Sequence, residues 1–198
     1  MSDPFNVLMV GVGGQGIVLA SDILAEAAAL AGHDVKKSEI HGMSRRGGPV
    51  FSHVRFGEQV HSPVIAQGEA HVVLALEPME LLRWAQWAAP DAAACYLATP
   101  ILPVGVDEYP EDLHDEIARL FGRVVRVELA AIRRSVPMKV RNTALLGAAS
   151  VFVPLDAEYF AEALQTLSPR GSYEANQAAF DTGRALAARQ LEEVSHVE

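Results

Sequence analysis

The chain has 198 residues, half of them hydrophobic, with a formal net charge of −9 and a single cysteine. That length suits one α/β domain able to bury roughly 70% of its unfolded surface, and the acidic balance argues against general nucleic-acid binding. Cys95 alone excludes an intrachain disulfide framework and any cysteine-rich metal or iron–sulfur site, and no apolar run reaches the roughly 18 residues that would span a bilayer.

Met1-Ser2-Asp3-Pro4 has no basic region and leads straight into a strand, so it does not read as a signal peptide, and a cytoplasmic protein is expected. An apolar run over 5–10 predicts the first strand. Gly11-Val12-Gly13-Gly14-Gln15-Gly16 follows, and an alanine-rich stretch over 17–31 predicts the first helix. Strand, glycine turn and helix make the first half of a dinucleotide-binding unit. One glycine permits positive φ, one lets the backbone approach a ligand, and one lets helix and strand pack closely. The helix start then offers free amides and a positive dipole end to an anion. Many α/β proteins use such a loop only to turn the chain, so a bound nucleotide does not follow from the motif alone.

Gly32 ends the helix as a left-handed cap, and 33–40 reads as the second strand. His41-Gly42-Met43-Ser44-Arg45-Arg46-Gly47-Gly48-Pro49 is more elaborate than a connector requires. Residues 50–56 alternate apolar and polar, Gly57-Glu58 turns, and 59–62 is expected to return antiparallel, which makes the sheet mixed. The run 72–76 predicts a buried central strand. Glu77-Pro78 opens a helix over 79–88 with proline in its favoured first turn. Residues 93–97 predict another strand, in which Cys95 is buried. The stretch 99–110, with Pro100, Pro103 and Pro110, reads as an ordered surface loop. Helix over 112–121, strand over 124–128, a short helix over 129–134 and a buried helix over 142–152 follow, with Gly147 at a close packing contact. Residues 156–167 and 173–193 are helical. The expected architecture is a three-layer α/β/α Rossmann-like domain with a mixed, mostly parallel sheet, formed by 1–198 as a single domain on which the C-terminal helices 156–193 pack.

Lys36-Lys37, Arg45-Arg46 and the spread Arg133, Arg134, Lys139 and Arg141 are basic islands in an acidic chain. Most such charges are solvated or paired locally; Arg45-Arg46 differs because glycines surround it. Two arginines between glycine turns bring fork-shaped cations suited to phosphate or carboxylate. Gln15 could donate an amide bond across an interface or cap the helix start. His41 could donate to a substrate oxygen or shuttle a proton, although loop histidines are more often structural. Ser44 reads as a local loop hydrogen bonder. His53 and His61, on facing strands of the expected hairpin, lack a third ligand at metal spacing. Asp22 and Glu26 lie on one solvated helix face, and Trp84 and Trp87 suit a core or subunit contact.

Taken in order, Gly11–Gly16, Lys36-Lys37-Ser38-Glu39-Ile40-His41-Gly42-Met43-Ser44, Arg46-Gly47-Gly48, Ser52-His53-Val54-Arg55-Phe56-Gly57, Leu76-Glu77-Pro78 and Arg141-Asn142-Thr143-Ala144-Leu145-Leu146-Gly147-Ala148 resemble the gamma-type domain of the 2-oxoacid:ferredoxin oxidoreductases. Within that group they look most like the beta subunits of indolepyruvate ferredoxin oxidoreductases, and the resemblance runs from Phe5 to about Arg184. It implies oxidative decarboxylation of an aryl 2-oxoacid with coenzyme A to an acyl-CoA and carbon dioxide. Thiamine diphosphate with Mg and the iron–sulfur clusters that reduce ferredoxin would lie in a large alpha subunit. This chain, inactive alone, would complete the cavity. The resemblance implies catalytic roles for His41 and Arg46. Cofactor or co-substrate contacts would come from Gly11, Gly13, Gly14, Gln15, Gly16, Ser44, Arg45, Gly47 and Gly48. An NAD(P)-dependent dehydrogenase, with Glu39 on the ribose hydroxyls, and a non-enzymatic nucleotide-binding scaffold are the competing readings. The dehydrogenase has no place for the second glycine-and-arginine loop, and the scaffold does not account for the resemblance along the whole length.

Overall fold

A computed structural model describes residues 3–41, 48–102, 108–132 and 136–195. Strand β1 (Phe5–Val12) leads through the glycine turn into helix α1 (Ile17–Leu30), which returns the chain to β2 (Asp34–His41). Strand β3 (Pro49–Gly57) then folds back and inserts between its two predecessors, antiparallel to both: Leu8 stands opposite His53, and Ser38 opposite His53 from the other side. Strands β4 (Ala70–Ala75), β5 (Ala88–Leu97) and β6 (Arg123–Val127) add in parallel beyond β1. The sheet order is β2-β3-β1-β4-β5-β6. It is mixed, as expected, but the reversed strand is β3 itself. Residues 59–62 form no return strand, so His53 and His61 do not face each other across a hairpin. The alternation of 50–56 suggests a half-exposed strand, but β3 has a sheet neighbour on each side and its polar members Ser52 and His53 are buried with Val54 and Phe56.

Side-chain alternation divides the core in two. Val7 and Met9 of β1, Val54 and Phe56 of β3, and Leu74, Cys95 and Val125 of the parallel strands face α1 and the C-terminal helices. Leu8, Val10, Val73, Ala94 and Tyr96 face the opposite way, under α2 (Pro78–Trp84), α3 (Leu113–Leu120) and Ile65. The helix after Glu77 is shorter than expected: it tightens into a 3₁₀ turn over Ala85–Trp87, and β5 starts at Ala88. Trp84 and Trp87 pack on each other with ring centres 4.7 Å apart, and Phe51 lies 4.1 Å from Trp84, so this pair serves as half-buried packing. Cys95 is fully buried in β5, and burial alone pushes its thiol well above the ordinary range.

After the short α4 (Leu129–Ile132), α5 (Arg141–Ala149) runs against the long α7 (Tyr173–Ser195), with α6 (Ala157–Leu167) beside α1. The buried helix expected over 142–152 ends in a 3₁₀ turn from Ser150. Gly147 is at a close helix contact as expected: a Cβ there would collide with the Phe180 carbonyl, and one on Gly183 would collide with that of Ala144. Helix α7 also closes one sheet edge. Gln190 accepts from the Arg126 amide at 3.1 Å and donates to its carbonyl at 2.8 Å, occupying the backbone groups on which another strand would add.

Candidate functional site at the carboxyl ends of the strands

Helix α1 crosses one face of the sheet while α2 crosses the other, so the build direction reverses between β1 and β4. In open α/β sheets the crevice beyond the carboxyl ends of the strands at such a switch point receives ligands. Here it is framed by the glycine turn after β1 and the Leu76-Glu77-Pro78 corner after β4.

The turn is held by its own residues. Gly14 and Gly16 adopt φ of 95° and 88°, which L side chains avoid. A Cβ on Gly16 would sit 2.6 Å from the Asn142 amide nitrogen, and that amide donates to the Gly16 carbonyl at 3.0 Å. Gln15, only 8% exposed, accepts from the Val12 amide at 2.6 Å and donates to the Leu76 carbonyl at 2.7 Å. Its amide is therefore spent inside the chain, tying β1 to β4. Gly13 donates its amide to the Gly48 carbonyl at 2.9 Å, which joins the first glycine loop to the end of the second. No side chain caps the start of α1 or of α5, and Asn142 brings these two starts together. Arg141, half-buried on the first turn of α5, forms no ion pair among the described residues.

The corner after β4 is built on a buried carboxylate. Glu77, 2% exposed, accepts from the Glu80 amide at 2.9 Å and so caps α2. Its other oxygen accepts from the Tyr109 hydroxyl and, at 3.4 Å, from the Ile101 amide; Tyr109 in turn accepts from the Met79 amide at 3.1 Å. Burial, followed by the bond to Glu77, pushes the Tyr109 phenol far above its ordinary value. Burial also raises the Glu80 carboxyl, against the pull of Arg83 3.2 Å away.

Gly11, Gly13, Gly14, Gln15, Gly16 and Gly48 therefore meet at one edge, and His41 reaches it as the last residue of β2, its backbone opposite Val50. Ser44, Arg45, Arg46 and Gly47 lie outside the described residues. Lys36 pairs with Asp34, and Lys37 pairs with both Asp22 and Glu39. Asp22 is thus part of an α1–β2 link and not merely a solvated face, and Glu39 carries a cation beside it. Sequence reasoning did not single out Glu77, Tyr109 and Asn142. Glu77 before a proline carried a cap signal, and Asn142 stood in a motif string, but nothing in the sequence announces a hydroxyl reaching back 32 residues. Among the described residues no three His, Cys, Asp or Glu side chains converge as metal ligands, and no helix is long and apolar enough to cross a membrane.

A mixed six-stranded α/β sheet with helices on both faces and a glycine turn at its switch point defines a Rossmann-like domain. The gamma subunit of the keto/oxoacid ferredoxin oxidoreductase of Geobacter sulfurreducens has this fold, with a TM-score of 0.69 at 22% identity over 93% of this chain and 99% of that one. So does part of the 2-oxoglutarate:ferredoxin oxidoreductase of Magnetococcus marinus, solved with 2-oxoglutarate, coenzyme A and succinyl-CoA. There the TM-score is 0.71 at 21% identity, over 96% of this chain and 32% of that longer one. Residues 6–186 match the family model described as pyruvate ferredoxin/flavodoxin oxidoreductase. The indolepyruvate oxidoreductase subunit IorB of Pyrococcus horikoshii is 33% identical over 94% of this chain and 98% of its own length. That of Archaeoglobus fulgidus is 40% identical over 64% of this chain and 66% of its own. The chain belongs to the pyruvate ferredoxin/flavodoxin oxidoreductase family, as a small subunit of the 2-oxoacid:ferredoxin oxidoreductase type.

Proposed function

We propose that this chain is the small subunit of an indolepyruvate-type, aryl 2-oxoacid:ferredoxin oxidoreductase, inactive until it joins a large subunit. The observation that carries the reading is the convergence at the switch point. The Gly13–Gly48 bond ties the first glycine turn to Gly48, just before β3, beside two helix starts without side-chain caps. Such an edge presents backbone amides and positive dipole ends, which favour a carboxylate or a polyphosphate. An aryl 2-oxoacid and coenzyme A both carry such groups. Arg46, Arg45 and the cation of Arg141 would add charge-assisted bonds. Ser44, Gly47 and Gly48 would shape the second loop, and His41 would donate to the substrate oxygen.

The described residues offer no carboxylate set for a Mg-diphosphate and no thiolate set for a cluster, since Cys95 is buried in β5. Thiamine diphosphate, Mg and the iron–sulfur clusters are accordingly proposed in the large subunit, where thiamine diphosphate supplies the electron sink for decarboxylation. This chain would then bind and orient the anionic substrates and exclude water, while electrons would pass to ferredoxin within the large subunit.

The test is co-expression with the large subunit of an indolepyruvate-type oxidoreductase from the same organism, followed by oxidation of aryl pyruvates with ferredoxin or a dye acceptor. Activity should require both chains, and Arg46→Ala should lower kcat/KM at least tenfold while the complex still assembles. Oxidation by this chain alone, or an Arg46→Ala complex with full activity, would refute the division of labour or the loop assignment respectively.

A further inference from the structure

We propose that Glu77 and Tyr109 are positioning residues. They pin the two ends of the β5–α3 connection to the switch point and thereby set substrate affinity without taking part in the chemistry. The inference rests on the functional reading above for its kinetic consequence, and on geometry for the rest.

Capping a short helix needs one acceptor, and a serine or threonine supplies it. Glu77 supplies two, and it does so at 2% exposure, where a carboxylate is costly unless each oxygen is hydrogen-bonded. Its first oxygen caps α2 through the Glu80 amide. Its second gathers donors from both ends of a connection, the Ile101 amide and the Tyr109 hydroxyl, 24 and 32 residues away. The acceptor capacity left over from capping is thus directed at that connection.

The same corner anchors the glycine turn. The Leu76 amide donates to the Val10 carbonyl at 2.9 Å, and the Leu76 carbonyl accepts from Gln15. Two adjacent residues, Leu76 and Glu77, therefore fix the glycine turn and the β5–α3 connection relative to each other. What the clasp holds at the edge is apolar: Ile101 and Leu102 are 37% and 51% exposed. Val18, Ile40 and Met138 are exposed as well, at the start of α1, the end of β2 and just before α5. Exposed aliphatic side chains thus stand on the segments that adjoin the starts of α1 and α5 and the ends of β2 and β5, an arrangement suited to ligands with an anionic head and an apolar body. Displacing Ile101 and Leu102 would weaken their binding and leave groups elsewhere untouched.

Tyr109→Phe separates this role from folding, because it removes only the hydroxyl and leaves the Glu77 cap on α2. In the complex with the large subunit, the variant should assemble normally and keep kcat within twofold. KM for the aryl 2-oxoacid or for coenzyme A should rise three- to tenfold. Glu77→Ala, which loses cap and clasp together, should raise the same KM further and lower Tm as well. Unchanged KM values in Tyr109→Phe, or a kcat that falls as far as kcat/KM, would overturn the positioning role. Amide hydrogen exchange at Ile101, whose amide is bonded to Glu77, supplies a readout that needs no activity: it should quicken tenfold or more in Tyr109→Phe, and an equal rate would overturn the clasp by itself. An inactive wild-type complex with fast-exchanging variant amides would condemn the functional reading and leave the clasp standing.

Discussion

Glycine meets two unlike needs in two regions of this molecule. Where α5 crosses α7, Gly147 and Gly183 are required by space: a Cβ at either would enter the backbone of the facing helix. In the turn after β1, Gly14 is required by conformation, with φ of 95° and nothing within 4 Å of where its Cβ would lie. Gly16 combines both, meeting Asn142 at φ of 88°. The seam is thus a packing device between two helices, and the turn is a backbone shape at the carboxyl edge of β1. Sequence alone presents the same residue in both.

The comparison breaks most visibly at the seam. Gly147→Ala forces two helices apart, and overpacking of a backbone contact with no side chain able to yield should cost about 3 kcal/mol or more. Gly14→Ala should cost only the left-handed penalty of about 1–2 kcal/mol. Urea unfolding of the two variants measures both; similar costs would mean that the turn is packed as tightly as the seam.

A second effect, of about 2 kcal/mol, is expected at Gln15. Gln15→Leu keeps the approximate volume but strands the Val12 amide and the Leu76 carbonyl, each of which costs roughly 1–3 kcal/mol when buried without a partner. The loss should appear in thermal unfolding, and amide exchange at Val12 should rise with it. A variant as stable as the parent would show that water replaces the side chain and that Gln15 is free to serve a ligand.

These two regions also show how far the sequence could be read. The glycine turn was legible because its requirement is local: a strand, a run of glycines and a helix lie within 30 residues. Gly147 was legible because a glycine inside an apolar helix has few other uses. The antiparallel insertion of β3 was not legible. Period-two alternation shows that a segment is a strand, whereas its neighbours are chosen by sheet topology, and a local turn at Gly57-Glu58 suggested the wrong one. Glu77, Tyr109 and Asn142 escaped for the same reason. Their partners are 24 to 126 residues distant, and hydrogen bonds at that range leave no periodic trace. His41 and the glycines could be placed at the edge from the strand order, but the amide of Gln15 could not be known to be occupied until Leu76 was beside it.

The smallest effect sharpens the comparison from the face of the sheet opposite the seam. His53, 3% exposed, accepts the Ile65 amide on Nδ1 at 3.1 Å, so the buried ring is neutral with its proton on Nε2. Burial, and then the nearby Arg55 cation, hold its pKa below the ordinary 6.5. His114, bonded through Nδ1 to the Tyr96 hydroxyl at 2.9 Å, is lowered in the same direction by burial and Arg126. Below pH 6.5 the unfolded chain takes up protons that the folded chain refuses, so stability falls with pH from there down to the folded pKa and is insensitive to these groups above it. Each group contributes a slope of at most about 1.4 kcal/mol per pH unit. His53→Gln, which retains an acceptor for Ile65, should flatten part of the Tm decline between pH 6.5 and 5 and leave Tm at pH 8 nearly unchanged. Since His53 and His114 lie on the α2 and α3 face, amide exchange at pH 5 should quicken near Ile65 and α3 before it reaches the α5–α7 seam. Simultaneous loss of protection at both would mean that the two helical layers open as one cooperative unit, with the glycine turn carried along by either.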